Sequence, residues 1–310
     1  MKIRAIEAAL EGHLGARPVR AKSLVVTVFG DAIAPHGGTV WLAGLIRLLA
    51  PFGINERAVR TTVFRLTREH WLRGEQVGRR SHYTLTESGR RRFEAAFRKI
   101  YAANARVWDE RWRLVIESGD RLVAARRRAL RDELAWMGFG RFGAGVMAHP
   151  TIDDDAVAAI LQEHKAEAHT VIMHATVNAD RPTAALTEAV KHAWDLERLD
   201  RDYRAFLQRF RPILHLFQRH PEETLDPEQC FMVRTLLIHE YRRVMLRDPL
   251  LPDQLLPQQW PGSAARLLCR NLYRLTQRLT EQHLMATLQT PDGPLPPAAP
   301  YFYGRFGGLA

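Results

Sequence analysis

Residues 55–69 carry four arginines at spacings that a helix would bring to one side. Val59, Val63 and Leu66 recur at i, i+4 and i+7, a narrow apolar stripe for a core. At about 100° per residue, Arg57, Thr61, Phe64 and Arg68 fall opposite that stripe, flanked by Arg60 and Arg65. Guanidinium forks can bind guanine O6 and N7 in pairs, while a threonine hydroxyl and the remaining arginines reach phosphates. Such a face suits a DNA major groove. Arginines on a helix are more often only solvated, so the neighbouring segments decide the reading.

Those neighbours add to it. Asn55 can N-cap the arginine helix, which is expected to run to about Trp71. Before it, Thr39 is expected to cap a helix over 40–50 that Pro51-Phe52-Gly53 stops, leaving a short turn between two helices. An earlier apolar stretch, 21–34, is helix-compatible and ends at the breaker cluster 35–38. After the arginine helix, 75–77 and 82–85 read as two short strands joined by the basic tip Gly78-Arg79-Arg80-Ser81. A tip of this kind can lay Arg79 and Arg80 on phosphates or in a minor groove. Residues 86–89 then start a further helix with Arg90, Arg91 and Arg92. The candidate DNA-contacting set is therefore Asn55, Arg57, Arg60, Thr61, Arg65, Arg68, Arg79 and Arg80, on a winged helix-turn-helix.

Charge points the same way. Residues 1–110 hold 19 of the 45 Lys and Arg but only 10 of the 34 Asp and Glu, so most of the net +11 sits where a polyanion would bind. A merely basic surface would show the same bias. Cys230 and Cys269 are too few and too far apart for a disulfide framework or a zinc spacing. Thirteen histidines include His215, His220, His239 and His283, yet no His-Glu-x-x-His or comparable spacing appears, so no metal or cofactor is expected. No run approaches the ~18 apolar residues of a membrane span, and residues 1–14 carry charges where a signal peptide needs an apolar stretch. A soluble cytoplasmic protein is the expectation.

The rest of the chain separates by pattern. Over about 107–180 a strand (112–117), a helix (121–137), a strand (145–148), a helix (156–166) and a strand (170–178) alternate, which suggests a split βαβ, ferredoxin-like domain. Beyond residue 182, helical stretches at 183–218, 227–246 and 263–288 are divided by proline-rich linkers such as 248–262. The tail 290–310, rich in Pro and Gly, is expected to be irregular or partly disordered. The fold class is thus multidomain α+β: a winged helix-turn-helix over 1–103, a ferredoxin-like domain over 104–181 and a helical domain over 182–310.

Several stretches together resemble the PaaX-type repressors of phenylacetic acid degradation. They are 23–30, 58–66 and 78–86 in the N-terminal part and 128–140 in the middle. In the C-terminal part they are Ile238-His239-Glu240-Tyr241-Arg242-Arg243, residues 247–252 and 255–257, and Trp260-Pro261-Gly262. The loop 117–120 departs from the Pro-Glu turn expected there, which puts the detail of that turn in doubt. The resemblance implies the three domains above, with a middle domain similar to CRISPR-associated Cas-two-type proteins and serving dimerisation. It also implies a homodimeric repressor of an aromatic-acid catabolic operon, released from operator DNA by a CoA thioester such as phenylacetyl-CoA.

A CoA thioester needs cations or amide donors for its phosphates and an apolar slot for its acyl group. The candidates are His239, Tyr241, Arg242, Arg243, Arg247, Trp260 and Arg270, the last on a ridge with Arg266, Arg274 and Arg278 at i+4 spacing. Arginines at that spacing also describe an ordinary solvated face. Two other classes stay open. A metal-dependent nuclease would use carboxylates near the first middle strand, Asp109, Glu117 or Asp120, although the strand itself carries no Asp. The run 153–155 reads instead as a helix cap. A non-specific architectural protein would bind any duplex with a steep salt dependence.

Overall fold

Asn55 begins the central helix as its residue type dictates. Its extended backbone precedes the first turn and its side chain accepts the Ala58 N–H at 2.9 Å. The computed structural model describes residues 2–16, 18–101, 108–118, 122–176 and 184–309. Elements are numbered in chain order. Two helices open the chain, α1 (Arg4–Ala16) and α2 (Ala21–Val28). The helix expected over 21–34 changes character halfway. It widens into a π-turn, Phe29–Ile33, then tightens into a 3-10 turn, Ala34–His36, and stops at Gly37 with φ 89°. Pro35, which has no N–H to continue a ladder, lies in this change of winding.

The helix expected over 40–50 with Thr39 as its cap is corrected at its start. Thr39–Trp41 is a strand, β1, and α3 (Leu42–Leu49) begins only after it, with no side-chain cap. β-branched and aromatic residues favour a pleated surface, and a partner is at hand in the hairpin of β2 (Leu72–Val77) and β3 (Arg80–Leu85). β1 pairs antiparallel with β3, Thr39 opposite Thr84, and completes a sheet of order β1-β3-β2. The arginine helix α4 (Glu56–Arg68) packs on α2 and α3 and buries Val59, Thr62, Val63 and Leu66. It ends three residues before the expected Trp71: His70 takes φ 59° and the Trp71 N–H returns to the Leu66 carbonyl at 2.9 Å. α5 (Glu87–Tyr101) follows, its N–H at Gly89 capped by Thr86 Oγ1 at 2.9 Å. A Cβ at Gly89 would stand 2.3 Å from the Trp71 carbonyl oxygen, so only glycine lets α5 approach the hairpin.

The middle of the chain has one strand more than expected. Its elements are β4 (Arg111–Glu117), α6 (Ala124–Trp136), β5 (Gly140–Gly143), β6 (Val146–His149), α7 (Asp154–Glu163) and β7 (Thr170–Thr176). The sheet order is β5-β6-β4-β7 and every neighbouring pair is antiparallel. β5 was not foreseen because Gly-Arg-Phe-Gly is short and has a glycine at each end. Gly140 is a packing requirement: a Cβ there would meet the Trp194 ring at 2.4 Å. Helices α6 and α7 share one core with Val115 of β4 and Met147 of β6. Asp153 caps α7 through the Asp155 N–H, as the run of carboxylates suggested. The expected helix over 183–218 is two, α8 (Ala184–Ala193) and α9 (Leu196–Arg219), separated at Asp195 with φ 46°. Residues 119–121 and 177–183, on which parts of the expected helix, strand and linker fall, lie outside the described residues.

Two long helices follow, α10 (Pro227–Met245) and α11 (Pro261–Thr287). The expectation of an irregular or disordered tail is overturned. A small hairpin, β8 (Gln289–Thr290) with β9 (Gly293–Pro294), leads to α12 (Pro300–Tyr303), and Phe302, Arg305 and Phe306 are buried. Apolar residues between the prolines and glycines supply the anchors. By compactness the chain forms two units: Met1–Ala103, Arg204–Leu246 and Ser263–Ala310 make one, Asn104–Tyr203 and Arg247–Gly262 the other. Residues 182–310 are thus divided between the two units. α10 explains the first grouping, because it is buried on nearly every side and packs on α1, α2 and α5.

Candidate nucleic-acid interface

On α4 the core-facing positions are filled from within, and the outer positions are open. Arg57, Arg60, Thr61, Phe64, Arg65 and Arg68 are all exposed, as is the cap Asn55. Arg60 pairs with Glu56 one turn earlier at 2.6 Å, with both side chains more than half exposed. Among the described residues, Arg57, Arg65, Arg68 and Arg79 have no ion-pair partner. An ion pair from Lys22 of α2 to Glu69, at 2.6 Å, lies just past the C-terminal end of α4.

The hairpin turns over two residues, Gly78 and Arg79, with Val77 opposite Arg80. Gly78 has φ 60° while Arg79 does not take positive φ, the pattern of a turn with glycine first. The two tip arginines differ. Arg79 is exposed at the turn, whereas the Arg80 guanidinium lies 4.1 Å from the centroid of the Trp41 ring. Trp41 is itself fixed, its indole N–H donating to the Thr290 carbonyl at 2.9 Å and its ring packing T-shaped with that of His82 at 5.4 Å. The run at 90–92 is spent locally: Arg90 donates to the Gly37 carbonyl, Arg91 pairs with Glu87, and Arg92 lies over Trp71. Exposed cations without an ion-pair partner among the described residues thus include three on α4 and one at the wing tip.

Behind this face lies a buried charge network that sequence reasoning missed. Asp31 sits in the π-turn of the α2 segment. Its Oδ1 accepts from Tyr101, Tyr273 and Arg305 at 2.7, 3.0 and 2.9 Å, and its Oδ2 accepts from Arg234 at 2.8 Å. Its main-chain oxygen, which the altered winding leaves available, also accepts from Arg234 and Arg305. Arg234 reaches on to Glu281 at 2.7 Å, and Glu281 meets His36 Nε2 at 2.9 Å. Two guanidiniums thus face two carboxylates, the condition under which buried charge is tolerated. Burial pushes the Glu281 carboxyl up, but Arg234 and His36 outweigh it and hold it at about 2. Burial and Asp31 together drive the Tyr101 hydroxyl well above its ordinary range. One signal was present in the sequence: Asp31 and Arg234 are lone charges inside apolar runs, and a lone buried charge needs a partner.

Comparison with known proteins places the chain. The family profile described as "PaaX-like protein" matches residues 20–89, that of the "PaaX protein central Cas2-like domain" 105–187, and that of the "PaaX-like protein C-terminal domain" 194–286. The chain is 36% identical over 304 residues to "Transcriptional repressor PaaX" of Escherichia coli (strain K12), covering 98% of this chain and 95% of that protein. The chain belongs to the PaaX family. Among solved structures it is similar to "Uncharacterized protein Rv0674 from Mycobacterium tuberculosis", with a TM-score of 0.49 and 22% identity, covering 91% of this chain and 98% of that one.

For this PaaX-family chain, the effector candidates occupy several environments. His239 and Tyr241 are buried in α10, with His239 Nδ1 3.0 Å from Thr27 Oγ1. Arg242 donates to Thr27 Oγ1 at 2.8 Å and to Ser23 at 2.9 Å, tying α10 to α2, and its burial lowers its pKa. Arg243 lies 3.5 Å from Glu240, and Arg270 has its Nε buried without a hydrogen-bond partner among the described residues. Arg247, paired with Asp202 at 2.8 Å, and Trp260, edge-on to Tyr203, fall in the other compact unit. On the ridge, Arg274 donates to the Gly308 carbonyl and Arg278 pairs with Glu222 at 2.7 Å.

Two of the three carboxylates considered for a nuclease are engaged with arginines. Asp109 forms a two-point pair with Arg113 at 2.7 Å, which holds its carboxyl down at about 2. Glu117 accepts from Arg131 at 2.5 and 2.7 Å, and Asp120 lies outside the described residues. Among the described residues, no three His, Cys, Asp or Glu side chains gather as a metal site would need, and no helix is long and apolar enough to cross a membrane.

Proposed function

We propose that this protein is a DNA-binding transcriptional repressor of a phenylacetate-type catabolic operon. The observation that carries the reading is the open face of α4: four exposed arginines around a helix whose apolar side is already buried, followed by a wing with an exposed Arg79 at its tip. Phosphates neutralise such cations, and base edges in the major groove give the guanidinium forks their specific partners. Residues 1–103 act as a winged helix-turn-helix. α4 lies in the major groove and Gly78–Arg80 follows the backbone or minor groove alongside. Asn55, Arg57, Arg60, Thr61, Arg65, Arg68, Arg79 and Arg80 form the contact set.

The strand order β5-β6-β4-β7 with two crossing helices supports a ferredoxin-like middle domain, which pairs two chains in a homodimer. Release is caused by a CoA thioester, with phenylacetyl-CoA the first candidate. It acts by binding more tightly to a conformation that no longer matches the half-site spacing, since equal affinity for both states would shift nothing. Contacts to the effector come from among His239, Tyr241, Arg242, Arg243, Arg247, Trp260 and Arg270. The named repressor of the same family supports the role.

The test is a mobility-shift assay on the DNA upstream of the protein's own gene, with a panel of CoA thioesters and the matching free acids. We expect a discrete complex that withstands competitor DNA and is released by one aryl-CoA ester and not by its free acid. Equal binding to random duplex would point to an architectural protein, and release by no thioester would remove the effector class.

A further inference from the structure

Phe64 projects from α4 on the side away from the buried stripe. Its side chain is 61% exposed, while Val59, Thr62, Val63 and Leu66 already fill the buried side of α4. A single exposed hydrophobe is ordinary, so its surroundings decide the argument. By helical geometry Phe64 lies within about 40° of Arg57, Arg60 and Arg68 and about 60° from Thr61. All of them are exposed, as is Arg65, about 100° round the helix. An apolar protein partner seated on this ring would bury Arg57 and Arg68 without counter-charge, which is costly. A polyanion supplies the counter-charge. Duplex DNA also offers an apolar group within reach of a helix in its major groove, the C5 methyl of thymine among otherwise polar edges.

We propose that Phe64 reads a pyrimidine C5 methyl in the major groove, at the centre of the arginine ring that fixes α4 on phosphates and guanines. This inference rests on the DNA-reading function above. It assigns the helix an apolar readout in addition to its polar one. Thymine is distinguished from cytosine at that position by a methyl group rather than by a hydrogen bond.

The experiment selects duplexes from a randomised library with the full-length protein. The best duplex is then resynthesised with deoxyuridine in place of thymine, one position at a time, which removes only the methyl. At one position, or at it and its symmetric counterpart, the wild-type protein should lose about fourfold in affinity, the worth of one buried methyl group. Phe64→Ala should bind the thymine and deoxyuridine forms equally there, and Phe64→Leu should retain part of the difference. The melting temperature of both variants should match the wild type, since the ring is exposed. Identical deoxyuridine sensitivity in wild type and Phe64→Ala at every position overturns the assignment while leaving DNA reading intact. A Phe64→Ala variant that alters oligomeric state but keeps the methyl sensitivity also overturns it. A protein that selects no sequence takes down both inferences.

Discussion

Arg60 and Arg65 flank the same face of α4 but are not equivalent. Arg60 holds Glu56 at 2.6 Å and, in the proposed complex, would exchange that partner for DNA, whereas Arg65 has none among the described residues. Arg65→Ala should therefore lose more sequence preference than Arg60→Ala, by about 1–3 kcal/mol where it meets a base edge. Competition by single-base variants of the operator would measure this, and unchanged selectivity in both variants would take α4 out of the groove. These residues were legible in the sequence because everything that places them is local: the Val59, Val63, Leu66 stripe and the Asn55 cap lie within one helix. The partners of Asp31 were not, because Arg234 and Arg305 stand 203 and 274 residues away and no periodicity links them.

The wing behaves as an element with one free and one anchored cation. Each lost phosphate contact should lower the slope of log K against log salt by about 0.9. Arg79→Ala should do this with no change in melting temperature. Arg80→Ala should do it and also lower the melting temperature slightly, because the cation over Trp41 contributes about 0.5–1 kcal/mol at an exposed site. Salt titrations that leave both slopes at the wild-type value would remove the hairpin from the interface. The hairpin and its tip could be read from alternating residues around Gly78. Its third strand could not, since Thr39 is equally a good helix cap and only the pairing with Thr84 decides between the two. The tail was misread for a related reason. Its Pro and Gly content hid Phe302 and Phe306, whose burial depends on elements far away in the chain.

For the molecule as a whole, the acid side of its stability should be set in part by Glu281. Its carboxyl is lowered from the ordinary 4.5 to about 2 in the folded state. Stabilisation from it is therefore complete above pH 4.5 and is lost as pH falls through about 2. Chemical denaturation between pH 5 and 2 should show a steeper loss for the wild type than for Glu281→Gln. Parallel profiles would mean that Arg234 and His36 do not hold the carboxylate as the geometry indicates. The unit that contains α4 thus depends on α10, α11 and the tail for its interior.

That dependence has a consequence in time. A ribosome must add 274 residues after Asp31 to reach Arg305, which at about 5–20 residues per second takes roughly 14–55 s. Throughout that interval the carboxylate in the π-turn lacks one of its two guanidiniums, and the α2 segment has no complete interior to settle into. An early-made segment is thus among the last to be finished, and α2 is not fully housed until the far side of the same unit has emerged.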